Sequence, residues 1–299
     1  MCGIAGIFIK DHRLDGELGG MLHAMVQTLC VRGPDSAGFA LYGDASAGLQ
    51  KLTLRVPPGH DVARDISRMQ ADLDLSASRV QRSTHVVLSV PHARVSNVRQ
   101  WLESNAPEVS IVGEGRKMEI YKEVGSPSSV VDQFELASMR GSHAIAHTRM
   151  ATESAVTTDG AHPFSTGPDQ CLVHNGSLSN HASLRRELRQ HGVTIRTEND
   201  TEVAAGYVTR ALRDGRSLRD ALEGSLSDLD GFYTFVVGTE SGFGVLRDPI
   251  SCKPAVMAET DSYVAFGSEY RTLTSLPGIE SARIWEPSPA TVYFWERQA

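Results

Sequence analysis

Met1-Cys2-Gly3-Ile4-Ala5-Gly6-Ile7-Phe8 opens the chain, and the reading of this stretch governs the rest. Once the initiator methionine is removed, Cys2 is N-terminal and carries a thiol and a free α-amine on one carbon. Such an amine titrates at about 7.7–8.0 and a thiol at about 8.5, so near neutral pH the amine can act as the thiol's own base. No separate catalytic histidine is then needed. The competing reading is a small apolar residue at the head of a buried strand. On this stretch alone both readings stand.

Working outward, Ile4 to Ile9 reads as a short buried strand. Leu18, Met21, Leu22, Met25, Val26 and Leu29 follow the i, i+3, i+4, i+7 spacing of one helix face. That helix stops before Arg32-Gly33-Pro34-Asp35-Ser36-Ala37-Gly38, a loop by its Gly and Pro content, and Phe39–Tyr42 resumes strand character. From 51 to 130 the texture changes. The pattern predicts a strand at 52–56, a helix at 62–73, a strand at 86–90, a helix at 95–102 and a hairpin of 109–112 with 118–121. This is a compact α+β unit without obvious chemistry, inserted into a main domain that spans 2–299.

The rest of the chain holds most of the polar motifs. A helix is predicted at 131–139 and a strand at 142–148, with a second strand at 171–173 leading into His174-Asn175-Gly176. A helix over 180–191 stops at Gly192, and another starts at Asp200-Thr201-Glu202. Strands at 232–237, 243–246, 263–266 and 291–295 imply a large, mainly antiparallel sheet.

Composition narrows the function classes. A net charge of −7 with no Lys/Arg cluster argues against a nucleic-acid partner. No apolar run approaches the roughly 20 residues of a membrane span, and the first residues lack the pattern of a signal peptide. Cysteines at 2, 30, 171 and 252 show no CxxC spacing. A reduced, cytoplasmic protein is the expectation.

Four constellations carry candidate chemistry. Asn175-Gly176 can supply an amide donor and an unhindered backbone N–H to an oxyanion, although the same dipeptide is a common hairpin turn. Arg149, in His147-Thr148-Arg149-Met150-Ala151-Thr152, can clamp a carboxylate, with the Thr152 hydroxyl adding a hydrogen bond, or form a surface ion pair. Asp200 can cap its helix or pair with a substrate ammonium. Arg32 and its loop are either a tight turn or the wall of a site near Cys2, with Arg32 then counted as substrate-binding. His143 and His147 lack the partners of a metal site, and no phosphate-binding glycine loop is present.

The joint order of these motifs is more specific than any one of them. An N-terminal Cys, Arg-Gly-Pro-Asp-Ser-Ala-Gly, His-Thr-Arg-x-x-Thr, His-Asn-Gly and Asn-Asp-Thr-Glu together resemble the class II glutamine amidotransferases, which are N-terminal-nucleophile (Ntn) hydrolases. The resemblance extends to Ala161-His162-Pro163-Phe164, Asp230-Gly231-Phe232, Arg247-Asp248-Pro249, Lys253-Pro254 and Gly267-Ser268-Glu269. It covers nearly everything outside 51–130.

The resemblance implies a four-layer αββα sandwich of two antiparallel sheets, with the insertion as a small α+β lobe. Cys2 would attack the side-chain amide of L-glutamine, and Asn175 and Gly176 would hold the oxyanion. Arg149 and Thr152 would bind the α-carboxylate, and Asp200 the α-ammonium. Asp248, Lys253, Ser268 and Glu269 would be framework. The chain stops too soon after Glu269 for an acceptor domain, so ammonia would pass to separate synthase subunits or be released. Free-standing amidotransferase subunits of glutamate-synthase-like complexes, such as N-methylglutamate synthase, are the most similar. Flavin and iron–sulfur chemistry would then lie on partner subunits, with no cofactor or metal on this chain. The alternative is an N-terminal-cysteine amidase for another amide.

Overall fold

The apolar run after Cys2 forms β1 (Gly3–Ile9), and all seven of its residues are buried, which demands cover on both faces of the strand. The computed structural model supplies that cover; it describes residues 1–151 and 155–297. After β1 come α1 (Leu18–Thr28) and β2 (Ser36–Tyr42). Next are β3 (Leu49–Arg55), α2 (Val62–Leu73), β4 (Ser78–Arg82), β5 (His85–Pro91), α3 (Val95–Asn105) and β6 (Ser110–Gly115). The chain continues through β7 (Met118–Val124), α4 (Pro127–Gln133), β8 (His143–Arg149), β9 (Phe164–Gly167) and β10 (Gln170–Leu178). Helices α5 (His181–Gln190), α6 (Asp200–Arg213) and α7 (Leu218–Asp228) follow. Last are β11 (Gly231–Gly238), β12 (Gly242–Arg247), β13 (Val256–Glu259), β14 (Tyr263–Gly267), β15 (Arg283–Trp285) and β16 (Val292–Glu296).

Two antiparallel sheets carry the main body. One has seven strands in the order β15-β13-β14-β1-β8-β2-β7, the other five in the order β16-β12-β11-β10-β9. Alternation along β1 assigns its two faces. Ile4 and Phe8 join Tyr42, Ile145, Val173, Val236 and Phe243 in the core between the sheets. Ala5, Ile7 and Ile9 join Met21, Leu22, Met25 and Val26 in a core under α1. On the far side, Leu172, Phe235 and Val237 pack against Ala204, Val208 and Leu222 of α6 and α7. The order of layers is therefore α, β, β, α, the four-layer sandwich that the resemblance implies. Each large apolar side chain enclosed this way contributes roughly 1.5–3 kcal/mol.

The inserted lobe is a separate four-stranded sheet, β4-β5-β3-β6. It is covered by α2 and α3 through a core that includes Leu52, Leu54, Ile66, Leu88, Val98 and Trp101. The expected hairpin of 109–112 with 118–121 does not form. β6 pairs with β3 in the lobe, whereas β7 pairs with β2 in the main sheet. The turn between them is pinned by Asp169, whose carboxylate accepts from the N–H groups of Arg116, Lys117 and Met118 at 2.6, 2.9 and 3.0 Å.

Other departures have local causes. The helix expected at 131–139 is α4 followed by a 3₁₀ turn, Leu136–Ser138. Helix α7 escaped the reading although Ser217 and Asp220 form a capping box at its start. β10 does not stop at Val173; it runs through Asn175-Gly176, paired along its length with β11, so the dipeptide is not a hairpin turn. No helix among the described residues is long and apolar enough to cross a membrane.

Candidate active site

Cys2 sits just before β1, whose Gly3 pairs with Thr148 of β8. Two adjacent antiparallel strands thus bring the first residues of the chain beside Arg149. The Met150 N–H points at the Cys2 sulfur, 3.4 Å away. The ammonium of Met1 lies 2.8 Å from the Met150 sulfur, and Met1 itself is 72% exposed. The Cys2 nitrogen is a peptide nitrogen while Met1 is attached.

The Arg32–Gly38 motif holds this strand end in place. Asp35 Oδ2 accepts from Ala151 N at 2.8 Å, and Asp35 N donates to Arg149 O at 3.1 Å. Gly33 lies so close to the β8 backbone that a Cβ there would come within 2.4 Å of the Thr148 carbonyl carbon. Arg32 donates from Nε to the Cys2 carbonyl oxygen at 2.8 Å and from Nη1 to Glu269 at 2.5 Å.

Opposite Cys2, β10 presents Asn175 and Gly176. Asn175 Nδ2 faces the Cys2 carbonyl oxygen at 3.4 Å and Ser268 Oγ at 3.2 Å. Ser268 Oγ also accepts from Ile4 N at 2.9 Å, so one hydroxyl ties β1 to the Asn175 amide. Gly176 has φ +150°, and a Cβ there would be 1.9 Å from Phe232 O and 2.7 Å from His174 Nε2. Only glycine fits this position.

Asp200 is the first residue of α6, but it is not the cap. Asn199 caps the helix by accepting from Thr201 N at 2.9 Å, which leaves the Asp200 carboxylate for other work. It accepts from Leu178 N at 3.0 Å and lies 3.7 Å from His174 Nδ1. Burial alone would raise its pKa, but the His174 imidazole and the Leu178 N–H outweigh burial and hold it at about 2. Asp200 is therefore an anion at neutral pH.

One cavity of about 760 Å³ collects Cys2, Arg149, Asn175, Gly176 and Asp200, together with His162, His174, His181 and Phe232. It is roomy enough to admit an amino-acid-sized ligand. The Arg149 side chain is buried and donates from Nη1 to Ala155 O at 3.4 Å. Cationic and anionic groups thus share a cavity with a thiol and two N–H donors. Arg32 does not line it; its guanidinium is committed to the Cys2 backbone and Glu269. Thr152 lies outside the described residues. Among the described residues, no group of three or more His, Cys, Asp or Glu is placed to hold a metal ion.

The sequence motifs contain the histidines at 147, 162 and 174 but assign none of them a role at the site. His147 lies on β8, His174 on β10 and His162 just before β9, so they meet only in the folded chain.

Residues 147–275 match the family model described as a glutamine amidotransferase domain. Over its whole length the chain is 60% identical to the glutamine amidotransferase-like protein GlxB of Rhizobium meliloti (strain 1021), covering 99% of that protein. It is 34% identical over 99% of its length to a putative glutamine amidotransferase of Methanothermobacter thermautotrophicus, all of which is covered. Among solved structures, glutamine phosphoribosylpyrophosphate amidotransferase from B. subtilis superposes with a TM-score of 0.62 at 20% identity. That match covers 99% of this chain and 47% of the longer enzyme, and it is a likeness of fold.

Proposed function

The chain belongs to the class II glutamine amidotransferase family, and from that premise we propose that it hydrolyses L-glutamine to glutamate at Cys2 and passes the ammonia to a separate synthase subunit. After loss of Met1, the α-amine of Cys2 takes the thiol proton and the sulfur attacks the side-chain amide carbon. The oxyanion is held by Asn175 Nδ2 and the Gly176 N–H. As the C–N bond breaks, the amine returns the proton to the departing ammonia and a γ-glutamyl thioester remains. A water molecule, deprotonated by the same amine, then attacks the thioester; sulfur leaves with the proton and glutamate is released.

The observation that supports this reading is that Cys2, Arg149, Asn175, Gly176 and Asp200 line one cavity. Arg149 and Asp200 would complement the α-carboxylate and α-ammonium of an amino acid, and Cys2 and Asn175 would act on its side-chain amide. The Thr152 hydroxyl is proposed to assist Arg149. Arg32 is proposed to position Cys2 rather than to touch substrate. From the resemblance of its motifs the proposed acceptor lies in a glutamate-synthase-like complex, N-methylglutamate synthase being the specific candidate, with flavin and iron–sulfur groups on partner subunits in the cytoplasm.

Two measurements test the reading. Glutamate release is assayed for the methionine-processed chain alone and with co-purifying proteins. Absence of glutamate in both rejects the glutaminase; release without any flavin- or iron–sulfur-containing partner among the co-purifying proteins rejects the proposed complex.

A further inference from the structure

His147 is two residues before Arg149 in β8, fully enclosed, and the chemistry above does not use it. Its Nε2 lies 3.2 Å from the backbone oxygen of His174 and 3.2 Å from Asn175 Oδ1. A backbone oxygen can only accept, so Nε2 must carry the proton. The Asn175 atom facing that N–H must then be the oxygen. An asparagine amide has nearly the same shape either way round, with a donor at one end and an acceptor at the other. Turned over, it would aim Nδ2 at the His147 N–H and present Oδ1, a second negative atom, to a forming oxyanion.

We infer that His147 is a positioning residue that keeps the Asn175 amide turned with Nδ2 toward Cys2. The inference rests on the reading of Asn175 as an oxyanion donor. Ser268 cannot set the orientation by itself, because a hydroxyl both donates and accepts. The Cys2 carbonyl oxygen favours the same orientation but at 3.4 Å is the weaker contact. The His147 ring is itself held. His162 stands edge-on over it, the ring centroids 4.0 Å apart and the planes at 79°, with His162 Nδ1 3.0 Å from His147 Nδ1 and 3.1 Å from Nε2, where it can accept beside the His174 oxygen. Burial drives His147 down to about 3, so the ring stays neutral with one N–H. That single proton is already assigned by the His174 carbonyl.

The test compares His147→Phe and His147→Gln in the full, methionine-processed chain. Phe fills the space without a donor, whereas the Gln amide can place an N–H near the former Nε2. With glutamine as substrate, His147→Phe should lose about 10–100-fold in kcat, in the range of a compromised oxyanion donor, with KM within about twofold. His147→Gln should recover most of the loss. Wild-type kcat in His147→Phe overturns the inference, as does equal loss in both variants with a raised KM. The ¹⁵N NMR spectrum of the wild-type imidazoles decides the matter even if both variants misfold or the wild type releases no glutamate. A neutral Nε2–H tautomer from about pH 5 to about pH 8 supports the role, and an Nδ1–H tautomer overturns it. Inactivity of the wild type would instead count against the glutaminase reading.

Discussion

Arg32 and Cys2 are joined by a hydrogen bond from the guanidinium Nε to the Cys2 carbonyl oxygen at 2.8 Å. The other end of the guanidinium is anchored by Glu269, which Arg271 also holds at 2.5 Å. The backbone of Cys2 is thereby tied to a residue that does not itself line the cavity. Thirty residues of sequence separate the two partners, and the pair forms because α1 returns the chain to the start of β1.

Removing Arg32 should therefore loosen Cys2 rather than weaken glutamine binding. Arg32→Ala is expected to lower kcat by roughly tenfold with little change in KM, and to destabilise the fold by about 1–3 kcal/mol as Glu269 loses a partner. Steady-state kinetics and denaturant unfolding check both. A rise in KM at constant kcat would restore Arg32 to the substrate-binding set.

Asp200→Asn removes the proposed partner of the substrate ammonium. Losing one member of an enclosed charge pair costs about 2–5 kcal/mol, so KM for glutamine should rise at least about 30-fold. Glutaramate, which has the amide but no ammonium, should be a poor substrate for the wild type and should lose little further in the variant. Equal loss on both compounds would exclude the pairing and favour an amidase for some other amide.

The same carboxylate has a pH signature. Its pKa in the folded chain is depressed from 3.8 to about 2, so its contribution is present above about pH 4 and is lost as pH falls through 2. The shift corresponds to about 2 kcal/mol. Chemical denaturation of wild type and Asp200→Asn between about pH 5 and about pH 2 should show a shallower acid loss in the variant.

Gly176→Ala places a Cβ 1.9 Å from Phe232 O at φ +150°. β10 and β11 must separate locally, and the N–H proposed for the oxyanion shifts with them. The expected outcome is destabilisation of order 2–4 kcal/mol and a loss of at least about 100-fold in kcat, read by thermal unfolding and glutamate release. Near-normal activity would remove Gly176 from the oxyanion hole.

Asp169→Ala deletes the acceptor for three N–H groups at the junction of lobe and main sheet. Stability should fall by about 2–3 kcal/mol, while KM for glutamine stays unchanged because the junction is remote from the cavity. Hydrogen exchange at Arg116–Met118 should rise. Unchanged protection there would mean that the β6–β7 turn holds itself.

Much of this architecture was legible in the residues before the fold was known. The stripe Leu18–Val26 and the run Ile4–Ile9 are local periodicities, and each became the expected element. The split between β6 and β7 was not legible, because strands close in sequence read as a hairpin, whereas their partners β3 and β2 and the Asp169 contact at the turn are set by the tertiary fold. Asn175-Gly176 shows the same limit in reverse. Its composition reads as a turn, but tertiary pairing with β11 keeps it in a strand. Within the site, Cys2, Arg149, Asn175, Gly176 and Asp200 stood out by type and order, and they line one cavity. Arg32 stood out too, but its partners could be seen only in three dimensions. His147 stood in the His-Thr-Arg motif and was weighed only as a metal ligand, since its partners are a backbone oxygen from another sheet and the side-chain oxygen beside it.

The central claim is that Cys2 is the nucleophile that cleaves the glutamine side chain. Glutamate release by the methionine-processed chain, measured beside Cys2→Ala with intact mass confirming loss of Met1, tests it most directly. The expected result is turnover by the wild type and a loss of at least about 10³-fold in Cys2→Ala. Turnover by Cys2→Ala within about tenfold of the wild type would contradict it.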